Sequence, residues 1–168
     1  MSPTAERKES IDFTDVYYTS DLVMVVKKGG KYENATKLSD FKGATITGQL
    51  NTFHYTVIDQ IDGVKKDTAM DNFPAMRVAL ESGKIDGYVS ERPEGVSATS
   101  ANKNFAMVEF ADGQGFKTSD EDTAIAVGLK KDSDLKDKIN KILAGISEDE
   151  RKDLMDQAIK DQPASEDN

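Results

Sequence analysis

The longest apolar run, DLVMVVKK at 21–28, is rich in β-branched residues and has no helical spacing, so it predicts a buried strand that ends at Gly29-Gly30. A short helical stretch follows at 36–42, with Leu38 and Phe41 three apart on one face. A second strand is expected at 44–47. The polar turn GQLNT (48–52) then leads into a helix over 53–61, with Phe53, Val57, Ile58 and Ile61 on one side and Thr52 at the N-cap position. A short strand at 65–69 precedes a helix over 73–82. Asn72 can cap that helix, Phe73, Met76, Ala79 and Leu80 share its face, and Gly83 sits just past its end.

The pattern continues with a strand at 85–89, a helix at 92–101 with Pro93 in its first turn, and a strand at 105–110. An acidic, glycine-bearing loop at 112–122 separates these from a strand at 124–129. Two amphipathic helices close the chain. The first, 133–146, carries Leu135, Ile139, Ile142, Leu143 and Ile146 on one stripe. The second, 148–160, opens on a Ser147-x-x-Glu150 capping box and carries Leu154, Met155, Ala158 and Ile159. The polar tail from Gln162 is expected to be disordered.

Alternation of strand and helix between 21 and 110 predicts an α/β fold with a largely parallel sheet covered on both faces. In such sheets ligands bind beyond the carboxyl ends of the strands, which directs attention to the turns at 48–52 and 90–91. Composition narrows the function. The net charge of −9 argues against nucleic acid and against an anionic membrane surface. With no cysteine there is no disulfide, thiol nucleophile or cysteine zinc site. No apolar run is long enough to span a bilayer, and the N-terminus does not have the basic-then-apolar order of a signal peptide.

Three residues could each meet a charged group. The GQLNT turn feeds a helix N-terminus, whose free N–H groups suit a carboxylate, and the Thr52 hydroxyl either caps that helix or adds a donor. Glu91 directly follows a buried strand, so its carboxylate either meets an ammonium group or pairs with Arg92 in solvent. Arg7 has a planar fork suited to a carboxylate, with Ser2 and Thr4 as neighbouring hydroxyls; the alternative is an ordinary surface arginine. His54, the single histidine, reads as a partly exposed bystander on its helix, with no nucleophile elbow to serve. The loop at 112–122 does not have the ligand spacing of a calcium-binding hand, so no metal and no cofactor are expected.

Taken in order, these segments resemble the amino-acid-binding family of ABC-transporter solute-binding proteins. TAERKESIDFTDVYY (4–18) is similar to the family's T-x-E-R-x-x-x-x-D-F-S/T-x-x-Y-Y signature. KLSDFKG, the GQLNT turn (a "Q-x-G-T" turn), IDGYV ending near an acid, and GLKKDSDLKDKINKIL follow in the family's order. The resemblance implies a type II periplasmic-binding-protein fold: two α/β lobes joined by two crossings, the second with a mixed, mostly parallel sheet, holding a free amino acid in the cleft between them. It implies that Arg7 grips the ligand α-carboxylate beside Ser2, that Thr52 and Asn51 belong to the second lobe's carboxylate turn, and that Glu91 takes the α-ammonium. Gln49 and Ser90 match cleft positions that vary with ligand.

By this resemblance, 1–16 is a remnant of the first lobe, 17–21 and 119–123 are crossings, 22–118 is a complete second lobe, 124–161 returns to the first lobe and 162–168 is tail. Most of the first lobe lies before the position of Ser2, so these residues are expected to form a half-site at best. Asn51 stands where the family has glycine, and asparagine tolerates a left-handed backbone. The implied role is extracytoplasmic capture of a polar or charged amino acid for an ABC permease, as a cell-surface lipoprotein, a permease fusion or a periplasmic protein. The implied alternatives are a cyclohexadienyl dehydratase-like enzyme, using Glu91 or His54 as general acid, and an isolated lobe acting as an interaction fragment. The apolar faces of the last two helices are expected to pack on each other, on the second lobe or on another chain, giving self-association or disorder.

Overall fold

A computed structural model describes residues 1–161; the tail from Gln162, expected to be disordered, lies outside the described residues. The strands are β1 (Ile11–Phe13), β2 (Tyr18–Thr19), β3 (Leu22–Lys27), β4 (Thr45–Thr47), β5 (Lys65–Lys66), β6 (Gly87–Glu91), β7 (Phe105–Val108), β8 (Ala124–Ile125) and β9 (Gly128–Lys130). The α-helices are α1 (Ala5–Ser10), α2 (Phe53–Thr56), α3 (Phe73–Glu81), α4 (Arg92–Ala101), α5 (Asp120–Thr123), α6 (Leu135–Leu143) and α7 (Glu148–Lys160). The described chain forms two units, one from Asp21–Lys117 and one from Met1–Ser20 with 118–161.

The Asp21–Lys117 unit is built on β3, whose LVMVV positions are all buried. Because side chains alternate along a strand, Leu22, Met24 and Val26 enter one core with Phe41, Ile46 and Ile58, while Val25 enters another with Met76, Leu80 and Tyr88. A strand so used must lie inside a sheet covered on both faces. The order is β5-β4-β6-β3-β7. β4 pairs parallel with β5 and β6, and β3 pairs antiparallel with β6 and β7. β3 therefore runs against the other strands, which share one direction. Strand–helix alternation cannot show this inversion, because direction is set by long-range pairing.

Local chemistry explains where the helices stop. Asn72 caps α3 by accepting from Ala75 N at 3.0 Å, and Gly83 follows it at φ 77°, in the left-handed region. The helix expected over 53–61 is one α-helical turn followed by a 3-10 turn at Val57–Gln60. Thr56, Val57 and Ile58 are consecutive β-branched residues and disfavour a longer helix. The expected strand at 65–69 keeps only β5, with a single further bridge between Gln49 and Met70.

In the other unit, β1 pairs with β9 and β2 with β8, both antiparallel. The single strand expected at 124–129 is split in two. At the break, Val127 N donates to the Thr14 hydroxyl at 3.0 Å and Thr14 N donates to Val127 O at 3.1 Å. The Ser147–Glu150 capping box is present, with the Ser147 hydroxyl accepting from Glu150 N at 3.3 Å. The Arg151 guanidinium donates to the carbonyls of Leu143 and Val16. Neither α6 nor α7 contains a buried residue; Leu135, Ile142 and Leu154 are 48%, 66% and 61% exposed. No described helix is long and apolar enough to cross a membrane.

The contact of α4 with the sheet gives a stability test. A Cβ added at Gly95 would lie 2.7 Å from Met107 Sδ and 2.9 Å from Val23 Cγ2, and Val23 is fixed in the buried strand. Gly95→Ala is expected to destabilise this unit by about 1–3 kcal/mol despite alanine's better helix propensity. Urea unfolding of the variant checks this.

Candidate functional site

The parallel register of β4 and β6, with Ile46 opposite Gly87 and Thr47 opposite Tyr88, brings the ends of both strands to the same sheet edge. Beyond β4 the chain enters the turn at 48–52. Beyond β6 it reaches Glu91 and α4. Gly48 is required there by a close backbone approach, since a Cβ on it would lie 2.8 Å from the His54 carbonyl oxygen. Asn51 adopts φ 60°, the left-handed conformation expected of the residue standing for glycine. Gln49 donates through Nε2 to Asp71 O at 3.3 Å.

Thr52 occupies the N-cap position of α2, but its side chain makes no capping bond; the hydroxyl donates to Gln49 O at 2.8 Å. This tightens the turn and leaves the first N–H groups of the helix without a side-chain cap. Glu91 is the last residue of β6 and its side chain is 27% exposed. Arg92, the neighbour expected as a surface partner, donates through Nε to Glu109 at 2.8 Å.

His54 overturns the expectation of a partly exposed bystander. It is buried, at 7% exposure, with its ring 4.6 Å from that of Phe53 and 6.4 Å from that of Phe73. Its Nε2 lies 3.6 Å from Glu91 Oε1. Helical spacing in fact puts this position on the same side as Val57, Ile58 and Ile61, so the bystander reading missed its place on the apolar face. α2 sets the imidazole between Phe73 of α3 and Glu91 at the end of β6.

Behind the edge lies a buried polar cluster that sequence reading missed. Ser90 is wholly buried, and its single O–H is shared between Glu94 Oε2 at 2.7 Å and Glu91 O at 2.9 Å. Glu94 Oε1 accepts from Arg77 Nε at 3.1 Å and Nη2 at 2.8 Å, and from the Tyr88 hydroxyl at 3.3 Å. Burial opposes the Arg77 charge, but hydrogen bonding and attraction from Glu94 outweigh it and hold its pKa above the usual arginine value. Burial first, and then the Glu94 charge, push the Tyr88 phenol well above its ordinary range. The one sequence signal was Glu94 in the first turn of α4, where an acid is favoured by the helix dipole; nothing local pointed to Arg77.

Arg7 and Ser2 belong to the other unit. Thr4 caps α1, accepting from Arg7 N at 3.4 Å, and Arg7 Nη1 donates to the backbone carbonyl of Ser2 at 3.0 Å. The Ser2 hydroxyl donates to Asp122 O at 2.9 Å. The Arg7 side chain is exposed, and the partners expected from neighbouring hydroxyls are thus backbone groups. Among the described residues no group of histidine or acidic side chains could hold a metal ion.

This architecture is that of the type II periplasmic binding proteins. An amino acid ABC transporter substrate-binding protein from Streptococcus pneumoniae, solved bound to L-arginine, superimposes with a TM-score of 0.76 at 27% identity, over 95% of this chain and 65% of that one. The chain belongs to the bacterial extracellular solute-binding proteins, family 3, whose profile matches residues 1–160. Among curated relatives, the arginine-binding extracellular protein ArtP of Bacillus subtilis is 30% identical over 85% of this chain and 54% of its own length. The ABC transporter glutamine-binding protein GlnH of Bacillus subtilis is 29% identical over 98% of this chain and 57% of its own. The chain thus spans little more than half the length of these relatives, whose names describe binding proteins rather than enzymes.

Two measurements test the cluster. Glu94→Ala leaves the Arg77 guanidinium without its partner and is expected to cost about 3 kcal/mol by denaturant unfolding. In the unfolded chain a tyrosine ionises near pH ~10, whereas Tyr88 stays neutral when folded. The contribution of Tyr88 is therefore complete below about pH 10 and declines as pH rises above it. Tyr88→Phe should unfold with a shallower loss of stability than the parent on the alkaline side.

Proposed function

We propose that this chain is amino-acid-binding sequence from an extracytoplasmic capture protein that hands a polar or charged amino acid to an ABC permease. The observation that carries the reading is the β4–β6 edge, which holds a carboxylate-type turn and the Glu91 acid side by side. Glu91 accepts the α-ammonium. The N–H groups at the start of α2, with Asn51 and Thr52 shaping the turn, receive the α-carboxylate. Arg7, supported by Ser2, is the second carboxylate partner. Gln49 lies beside the turn, while Ser90 acts from behind through Glu91. The resemblance of the 4–18 signature and the names of the arginine- and glutamine-binding relatives support this assignment. The same support extends to a cell-surface, permease-fused or periplasmic setting for the whole protein.

The domain reading carries over as part of the proposal, with 22–118 as the second lobe, 17–21 and 119–123 as crossings, and 1–16 and 124–161 as first-lobe segments. On that reading these residues bind weakly. Amide NMR titration with L-arginine and L-glutamine is expected to move resonances at 49–54 and 90–91 at millimolar ligand, and Glu91→Ala to abolish the response. Shifts confined to other parts of the chain, or unchanged by Glu91→Ala, would overturn the site.

The exposed apolar positions of α6 and α7 are proposed to meet a second copy of the chain. Sedimentation equilibrium should show concentration-dependent association that is lost when Ile142 and Leu154 are both changed to Asp; a monomer at all concentrations rules this out.

A further inference from the structure

We propose that His54 is a positioning residue for Glu91, holding one carboxylate oxygen so that the other faces the primary ammonium group of the ligand. The inference rests on the reading of Glu91 as the ammonium acid. It starts from an unsatisfied group: the His54 side chain is 9% exposed, and neither ring nitrogen has a hydrogen-bond partner. A neutral imidazole always carries one N–H. A buried donor without an acceptor is costly, and phenylalanine would fill the same aromatic slot without that cost.

Glu91 is the group placed to use it. Its Oε1 stands 3.6 Å from Nε2, within ion-pair range and just beyond a hydrogen bond. The imidazole has little freedom to close the gap. Its backbone carbonyl abuts Gly48, and Phe53 and Phe73 flank its ring. The freer partner is Glu91, at the end of its strand and more exposed. A small rotation of the carboxylate brings Oε1 onto Nε2–H and fixes its plane, leaving Oε2 for an ammonium. A carboxylate held in this way loses less freedom when the ligand arrives than one that swings in solvent. The Ser90 hydroxyl restrains the same residue from the backbone side, through Glu91 O. The chemical class selected is a primary ammonium compound, and the contribution of His54 is specific to that group rather than to the ligand side chain.

The test has a ligand-free arm and a ligand arm. Long-range proton–nitrogen NMR of the 168-residue chain at mildly alkaline pH reads which ring nitrogen carries the proton. The expected result is Nε2–H, with that preference weakened in Glu91→Ala. A proton held on Nδ1 in the parent, or no response to Glu91→Ala, overturns the pairing. In the ligand arm, the affinity ratio between L-arginine and its deaminated analogue is compared in the parent, His54→Phe and His54→Gln. His54→Phe keeps the aromatic packing and should reduce the ratio by on the order of tenfold. His54→Gln restores an N–H donor and should recover part of it. Equal weakening toward both ligands would show a packing role only and overturn the proposal. A parent chain that does not favour arginine over the analogue, or binds neither, overturns the ammonium reading of Glu91 instead, and the NMR arm then judges the His54–Glu91 pair on its own.

Discussion

The parallel ladder between β4 and β6 is the interaction on which the rest of the site depends. It is only two residue pairs long, Ile46–Gly87 and Thr47–Tyr88, yet it ends a turn and an acid at one sheet edge. Its hydrogen bonds are individually modest. What makes the register stable is burial on both faces, with Ile46 in one core and Tyr88 in the other. A slip by one residue would move each side chain to the opposite face. The hydrophobic core therefore fixes the relative position of residues 48 and 91, far apart in sequence.

The polar cluster behind that edge serves a second purpose. Arg77 and Glu94 form a largely buried ion pair, an arrangement that contributes little net stability because both charges are desolvated. Its geometry, however, ties three elements together: Arg77 from α3, Glu94 from α4, and Tyr88 and Ser90 from β6. The strand end that carries Glu91 is thereby held from behind, while its own carboxylate is left to face solvent and His54. Rigid support beneath the acid is what the proposed binding role of Glu91 requires.

The unit containing Arg7 is organised differently. Its ladders are short, and the Thr14 hydroxyl fills in where one strand breaks. In α6, α7 and the turn between them, Leu135, Ile142 and Leu154 are exposed, while Ile139, Leu143, Ile146, Met155 and Ile159 are half-buried. Helix formation here rests on local signals, the Ser147–Glu150 box above all, rather than on burial. That is why the positions of these two helices were legible along the chain although none of their residues is fully buried.

Much of the fold could be read from the sequence. The buried strand at β3, the Asn72 cap, the glycine after α3, the proline-opened α4 and the capping box all rest on interactions within a few residues, so composition and spacing determine them. The order of family-like segments was likewise a property of the chain alone. Tertiary structure decided the rest. It inverted β3 within the sheet, cut the 53–61 helix to a single α-helical turn, and split the 124–129 strand. It also took the Thr52 hydroxyl away from its helix, joined Arg92 to Glu109, and turned His54 from a presumed surface residue into a buried neighbour of Glu91. Each of these depends on partners dozens of residues away, whose approach is set by packing of two cores. Local propensity fixes which segments are strands and helices, but only the long-range register of β4, β6 and β3 fixes which side chains meet at the edge they form.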